Sequence, residues 1–376
     1  MRIAIVGGTG TQGMAAALTA RARFGAQNVF VCSRSAARAK AAAAQLGVKS
    51  EVVDVSNAAS LLGILSRGDI VLNVAAPYFA FGAKVAQAAI ETGAHYIDIC
   101  DDWEATESIL ELDGAAASAG VRIITGVGSA PGLNNTLAMK AIAALDEVQN
   151  IVTAWSLNPD TSGAKPRSLI PLLHLLHCAV GPIRTLRNAQ PHLEEPLQPH
   201  TFHHPWRGSM TGYTIGSPES ATLHRGLDGV RSNVSLLLAS QSDADQLRLL
   251  SLLVRNGELS MEDAAGLLAA APDRSGLSAT PYPALVGWAS GKKAGRSAVA
   301  ACEPEWLSNP PYQLAGMTLA HVAEAMANGN LGAAGARSIE HAMDADDYAD
   351  LVSKALGGQR LSLALELRWT PEPEIS

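Results

Sequence analysis

The sequence predicts an α/β protein: an N-terminal doubly wound parallel sheet, followed by a second, α+β domain whose sheet is mixed and mainly antiparallel. Three observations lead there. The chain opens on a short apolar run, Arg2 to Val6, which meets the triplet Gly8-x-Gly10-x-x-Gly13 and then the helix-forming stretch Met14 to Ala20. Strand-like and helix-like runs then alternate as far as about residue 145, at the spacing of βαβ crossovers. Beyond that point, period-two alternation takes over, as in Ile151–Ser156 and Leu361–Trp369.

The first strand, turn and helix have the order of a dinucleotide-binding unit. One glycine makes the tight turn, one lets the backbone approach a pyrophosphate, and one lets the helix pack on the strand. Gly8, Thr9, Gly10, Thr11, Gln12 and Gly13 are therefore expected at the phosphates, which the N-terminal end of the helix dipole favours. The second strand, Asn28–Ser33, ends in Ser33-Arg34-Ser35, with Arg38 one turn further on. Many NAD-binding units carry an acid there; a guanidinium and hydroxyls suit a 2′-phosphate instead, so NADP(H) is expected over NAD(H). Asp54 and Val55 close a third strand, Glu51–Val55, near where an adenine edge would lie, although Asp54 can equally cap the helix that starts near Ser56.

A fourth strand, Asp69–Ala76, delivers Ala75, Ala76, Pro77 and Tyr78 to the edge where the nicotinamide end of a dinucleotide sits. The fifth, His95–Cys100, runs into Asp101-Asp102-Trp103-Glu104, and one helix is expected from about Thr106 to Ala119. The sixth, Val121–Thr125, opens into Gly126–Gly132 and a helix over 133–145. The expected division is 1–145 for the nucleotide domain and 146–315 for an α+β substrate and dimerisation domain, with helices over 316–358 and a terminal strand and tail over 359–376. Within the second domain the pattern predicts a polar turn (158–166), a helix (168–178), a loop-rich stretch (181–230), a strand at 232–238, two helices over 243–271 and only a weak strand within 291–301.

Composition removes several classes of function. The net charge is −7 with no basic block, which argues against a nucleic-acid partner. Cys32, Cys100, Cys178 and Cys302 lie far apart, a spacing that suits a reducing cytoplasm better than a disulfide framework or a zinc site. Met1 runs directly into a strand, and no apolar run is long enough to span a bilayer, so neither a signal peptide nor a membrane anchor is expected. His174 and His177 share one face of a helix that is apolar nearly all round, and read as core or interface histidines. His200, His203 and His204 sit in a proline-rich stretch without a nearby carboxylate or cysteine at ligand spacing, and no metal is expected.

Several stretches, in the same order, make the chain resemble the saccharopine dehydrogenase-like reductases: Ile5–Gly10, Asp54–Ser56, Asp69–Asn73 with Pro77-Tyr78, Gly93–Asp98, Gly126–Gly132 with Leu137-Ala138, and more worn matches at Gly181–Arg184, Pro218-Glu219 and Thr222–Arg225. The resemblance is dense over 1–140 and thin over 150–310. It implies reversible hydride transfer between NADP(H) and a carbon–nitrogen bond of an amino-acid or imine substrate, and a return of the helices over 316–358 to the nucleotide domain. The first forty residues are also similar to deazaflavin-linked NADP reductases, but those chains are shorter and are not expected to carry the Gly126–Gly132 stretch.

Imine reduction requires a nicotinamide against the carbon, a proton source near the nitrogen and charges that hold the substrate. Tyr78 and Asp102 are the catalytic candidates: Tyr78 can hydrogen-bond the substrate or the nicotinamide ribose, or simply pack in its loop, and Asp102 can steer an imine proton. Asp101 can pair with a substrate ammonium, or the two aspartates can form an acidic helix start. Substrate carboxylates call for arginine. Arg225, from the stretch that resembles the family's Thr-Leu-x-Arg, comes first, followed by Arg184 and Arg167. The apolar His174 helix and the alternating terminal strand fit a homodimer. A protein that only binds NADPH, as a sensor, is the reading from another class of function.

Overall fold

A computed structural model describes residues 1–156, 169–270, 282–305 and 313–370. The chain divides into two compact units, Met1–Thr136 with Pro310–Leu361, and Leu137–Asn309 with Ser362–Ser376.

The first unit begins β1 (Ile3–Val6), α1 (Thr11–Phe24), β2 (Val29–Ser33), α2 (Ala36–Leu46), β3 (Lys49–Val52), α3 (Ala58–Leu62), β4 (Ile70–Asn73), α4 (Tyr78–Thr92), β5 (His95–Asp98), α5 (Trp103–Leu110), α6 (Asp113–Ala119) and β6 (Arg122–Thr125). All six strands are parallel, in the order β6-β5-β4-β1-β2-β3, and a seventh strand, Gly335–Ser338, adds to β6. Helices cover both faces, so β1 and β4 are buried throughout, which is why they read as unbroken apolar runs. The strand order reverses between β1 and β4. In sheets of this kind that reversal opens a crevice at the carboxyl edge.

Helix Leu314–Ala327 returns to α1. The contact is made by small residues: a Cβ on Gly316 would stand 2.2 Å from the Gln12 carbonyl oxygen. Arg23 and Glu324 close the exposed end of this contact at 2.8 Å.

The second unit is built on nine strands among the described residues, and its sheet is mixed and mostly antiparallel. Its one parallel pair joins Glu147–Ser156 to Ser232–Leu238. Helix Asn134–Ala143 lies on strand Leu285–Lys293, where a Cβ on Gly287 would meet the Ala138 nitrogen at 2.0 Å.

Several local expectations are corrected. The helix expected over 106–119 is two helices, and Asp113, at the start of the second, accepts a hydrogen bond from Ala336 N at 2.8 Å. The weak strand at 291–301 is a hairpin of two nine-residue strands, Leu285–Lys293 and Arg296–Pro304. Ala294 and Gly295 turn it, both with positive φ, as a tight two-residue hairpin requires. Its alanines, glycines and serines hide the pattern, because the strands are buried over most of their length.

His200, His203 and His204 lie on a strand, Pro199–His204, rather than in a loop, and alternate between its faces. A carboxylate does reach them, from far away in sequence. Glu303 lies 2.9 Å from His204 Nε2 and takes a bidentate pair from Arg207 at 2.7 and 2.6 Å. All four cysteines are buried, and none is in a disulfide. Among the described residues no helix is long and apolar enough to cross a membrane.

Candidate nucleotide site

At the β1–α1 turn the glycines divide their work. Gly7 takes φ +85°, and a Cβ there would lie 2.8 Å from the Val74 carbonyl, on the chain leaving β4. A Cβ on Gly8 would strike Val31, and one on Gly13 would strike the Gly7 oxygen at 2.4 Å, so both are required by packing. Gly7, which lies outside the triplet, is thus as constrained as its neighbours, and only its position directly after the strand hints at this.

Gly10 is different. It has an ordinary φ of −85°, and the nearest atom to an added Cβ is 3.7 Å away. Nothing in the first unit demands a glycine there; a ligand approaching the backbone would. Gly10 is also the N-cap of α1 and supplies no side-chain cap, so the first N–H groups of the helix have no partner within it. The turn therefore fits a pyrophosphate.

The expected nucleotide-binding residues mostly gather around this turn. Thr9 Oγ1 lies 3.4 Å from Ser33 Oγ, at the end of β2. Arg34 and Arg38 are exposed beside it, and Ser35 caps α2 by accepting from the Arg38 nitrogen. Asp54 is correctly placed beyond β3, but its carboxylate accepts from Ser56 N and Oγ at 2.9 and 2.7 Å. Those bonds, with a smaller contribution from Arg34, hold its pKa below the usual carboxylate range. It closes a turn; the cap of α3 is Asn57. Val55 is buried. The side-chain oxygen of Gln12 accepts from Gly316 N at 2.9 Å and so anchors the returning helix.

On the other side of the reversal, the ends of β4, β5 and β6 converge on one buried carboxylate that the sequence reading passed over. Asp98 Oδ1 accepts from Cys100 N (3.0 Å), Gly126 N (3.0 Å) and Thr125 Oγ1 (2.8 Å), and Oδ2 accepts from the Tyr96 hydroxyl (2.8 Å). Tyr96 in turn accepts from Asn73 Nδ2 (3.0 Å), and Asn73 Oδ1 accepts from Ala75 N (3.1 Å). Burial pushes the Asp98 carboxyl up to about 6, against the pull of these hydrogen bonds. The available signal was a lone aspartate inside the apolar run His95–Cys100.

Tyr78 is corrected. Its ring is buried and its hydroxyl donates to the Asn73 carbonyl at 2.9 Å, so it packs under the loop. Ala76 and Pro77 are exposed at the loop surface, and Ala75 is half-buried. Asp102 is buried at the N-cap of α5, and one of its oxygens accepts from Phe79 N at 3.1 Å, tying the start of α4 to that of α5. Asp101 beside it is half-buried. The Gly126–Gly132 stretch is gripped by Tyr348, whose hydroxyl accepts from Gly128 N (2.8 Å) and donates to Gly128 O (2.9 Å). A Cβ on Gly132 would meet that hydroxyl at 2.5 Å.

Of the arginines proposed for a substrate carboxylate, Arg225 is exposed in the second unit and donates to the Ala221 carbonyl of its own turn at 3.0 Å. Arg184 is half-buried on strand Ile183–Arg187, and Arg167 lies outside the described residues.

Residues 3–124 match the family described as the saccharopine dehydrogenase NADP binding domain. Over this stretch, about a third of its length, the chain is saccharopine dehydrogenase-like. A 121-residue stretch is 31% identical to a saccharopine dehydrogenase [NADP(+), L-glutamate-forming] of Saccharomyces cerevisiae. A 74-residue stretch is 38% identical to a saccharopine dehydrogenase-like oxidoreductase of Rattus norvegicus. These matches span 32% and 19% of this chain, and only 25% and 17% of the relatives' own lengths.

The whole fold is shared more widely. The apo saccharopine dehydrogenase (L-Glu forming) from Saccharomyces cerevisiae aligns over 98% of this chain and 100% of its own, with a TM-score of 0.62 at 13% identity. A homospermidine synthase from Legionella pneumophila in complex with NAD aligns over 98% of this chain and 91% of its own, with a TM-score of 0.55 at 13% identity. The match to an NADP binding domain over residues 3–124 agrees with the geometry of the glycine turn.

Two outcomes follow from this geometry. Gly10→Ala should leave stability within about 1 kcal/mol of wild type, since the position has room and an ordinary φ, yet weaken nucleotide binding at least tenfold, read by urea titration and calorimetry. Equal binding by the variant would show that no phosphate approaches Gly10. For Asp98 the folded pKa of about 6 lies above the ordinary 3.8, so the folded state binds the extra proton and stability should fall as pH rises from about 4 to 6. Asp98→Asn should remove that component, so the difference between the two stability–pH curves should change by on the order of 3 kcal/mol between about pH 4 and 6 and be constant above it. Parallel curves would mean that Asp98 does not titrate there.

Proposed function

We propose that the chain is an NADP(H)-dependent oxidoreductase that transfers hydride at the carbon–nitrogen bond of an amino-acid-like amine or imine. The reading rests most on one observation: a helix start whose N-cap, Gly10, brings no side-chain cap and leaves open space where a Cβ would stand, inside a stretch that matches the saccharopine dehydrogenase NADP binding domain. When bound, the nicotinamide would supply a hydride to the imine carbon, while the nitrogen takes the π-electron pair of the broken C=N bond and a proton.

The chain's own residues would bind and orient. The N–H groups at the start of α1 receive the pyrophosphate. The choice of NADP(H) is supported by Ser33 and Arg34 after β2, where no carboxylate stands to accept a free ribose hydroxyl. The adenosine half then lies over β2 and β3, and the nicotinamide half over the ends of β4, β5 and β6. Asp101 and Asp102, just beyond β5, are the candidates to face a substrate ammonium or the imine proton, with Asp102 already holding Phe79 N in place. Carbon–nitrogen chemistry is supported by the names of the relatives, a saccharopine dehydrogenase and, in fold, a homospermidine synthase.

The test is to supply NADPH with a panel of keto acids and amines and follow its absorbance, alongside thermal shifts with NADP+ and NAD+. Oxidation of NADPH by at least one imine-forming pair and a larger shift with NADP+ are expected. Arg34→Asp should reverse the cofactor preference, losing at least tenfold in NADPH affinity. Tight NADPH binding without turnover on any pair would favour a sensor, and an equal or larger shift with NAD+ would overturn the cofactor assignment.

A further inference from the structure

Asp98 sits where three neighbouring parallel strands end, yet it is buried and touches no solvent. Its four hydrogen bonds reach Cys100, on the loop after β5, Thr125 and Gly126, where β6 gives way to its loop, and Tyr96 within β5. Through Tyr96 and Asn73 the chain of bonds continues to Ala75, on the loop after β4. Gly126 takes φ +80°, so its direction depends on the bond its nitrogen makes. One side chain thereby fixes the departure of all three loops that would enclose the nicotinamide half of a bound dinucleotide. The glycine turn and Ser33-Arg34, which would hold the other half, take no part in this network.

We propose that Asp98 is the positioning residue for the nicotinamide half of the site: by gathering the loops after β4, β5 and β6 it shapes the surface on which the reactive ring rests, without touching the ring. This rests on the nucleotide reading above. A carboxylate suits the task better than an amide, because all four of its contacts are donors and it offers only acceptors. The buried carboxyl, held up by desolvation, is costly for the fold to keep, as expected of a group retained for a site. The other titratable groups around it are the buried hydroxyls of Tyr78 and Tyr96, the Cys100 thiol and Asp101, whose charges or dipoles act on the same cluster.

The two halves of the ligand separate this role from general destabilisation. Binding of NADPH, which has both halves, is compared with binding of 2′,5′-ADP, which lacks the nicotinamide half, in wild type, Asp98→Ala, Asp98→Asn and Tyr96→Phe. The expected result is that Asp98→Ala weakens NADPH at least tenfold while 2′,5′-ADP changes less than twofold. Asp98→Asn, which keeps an acceptor for the backbone donors, should recover part of the loss, and Tyr96→Phe, which cuts only the branch to β4, should lose about threefold. Should Asp98→Ala fail to fold, the other two variants carry the comparison. Folded variants with an unchanged ratio of the two affinities, or with equal losses of both, would overturn the proposal. A wild-type protein that binds neither of these nor NADH would overturn the nucleotide reading, and this inference with it.

Discussion

The first unit depends on a contact between two stretches of bare backbone. Where β1 ends, Gly7 turns with positive φ against the carbonyl of Val74, and Gly13 lies against Gly7 in the next turn. A methyl group at either position would push α1 off β1, or β1 off the loop after β4. This closeness brings the start of a helix to the point where the strand order reverses, leaving its first N–H groups without partners inside the helix. The same economy of side chains recurs behind it, where Gly316 lets helix Leu314–Ala327 lie on α1 and the Gln12 side chain fastens the pair. A turn that lacked its glycines would lose both the fold of this edge and its ability to receive a phosphate.

The two sides of the reversal are built on different physics. Toward β2 and β3 the residues that would meet a nucleotide are exposed and polar, with Thr9 near Ser33 and Arg34 in solvent. Toward β4, β5 and β6 the loops are held from below by buried hydrogen bonds through Asp98, Tyr96, Asn73 and Tyr348. Screening by water leaves the first side adaptable, whereas a buried network with every member satisfied fixes the second. That contrast fits a site that grips one end of a ligand by charge and orients the other end for chemistry.

Much of this was legible in the chain. The order of strand, glycine turn and helix located the nucleotide unit, because each step has a local signature that tertiary context does not override. Tyr78 takes the second of its two readings, packing in its loop, because the fold spends its hydroxyl internally on the Asn73 carbonyl. Asp98 went unnoticed as a site residue because its partners Thr125 and Gly126, and Asn73 beyond Tyr96, come from neighbouring strands that its own stretch does not reveal. Strand Gly335–Ser338 has neither β-branched nor aromatic residues and is recruited by pairing with β6, with Asp113 binding its Ala336 nitrogen, which no local pattern encodes. Likewise the Glu303 that meets His204 lies about a hundred residues away, so the histidine cluster could not be read from its own stretch.

The central claim is that the glycine turn at the strand reversal is a dinucleotide site read from two sides. A crystal structure of the protein with NADP+ tests it most directly. The pyrophosphate should lie over Gly8 to Gly13 at the start of α1, the 2′-phosphate against Ser33 and Arg34, and the nicotinamide over the ends of β4, β5 and β6. Density for the nucleotide at any other place, or the adenosine and nicotinamide ends exchanged across the reversal, would contradict it.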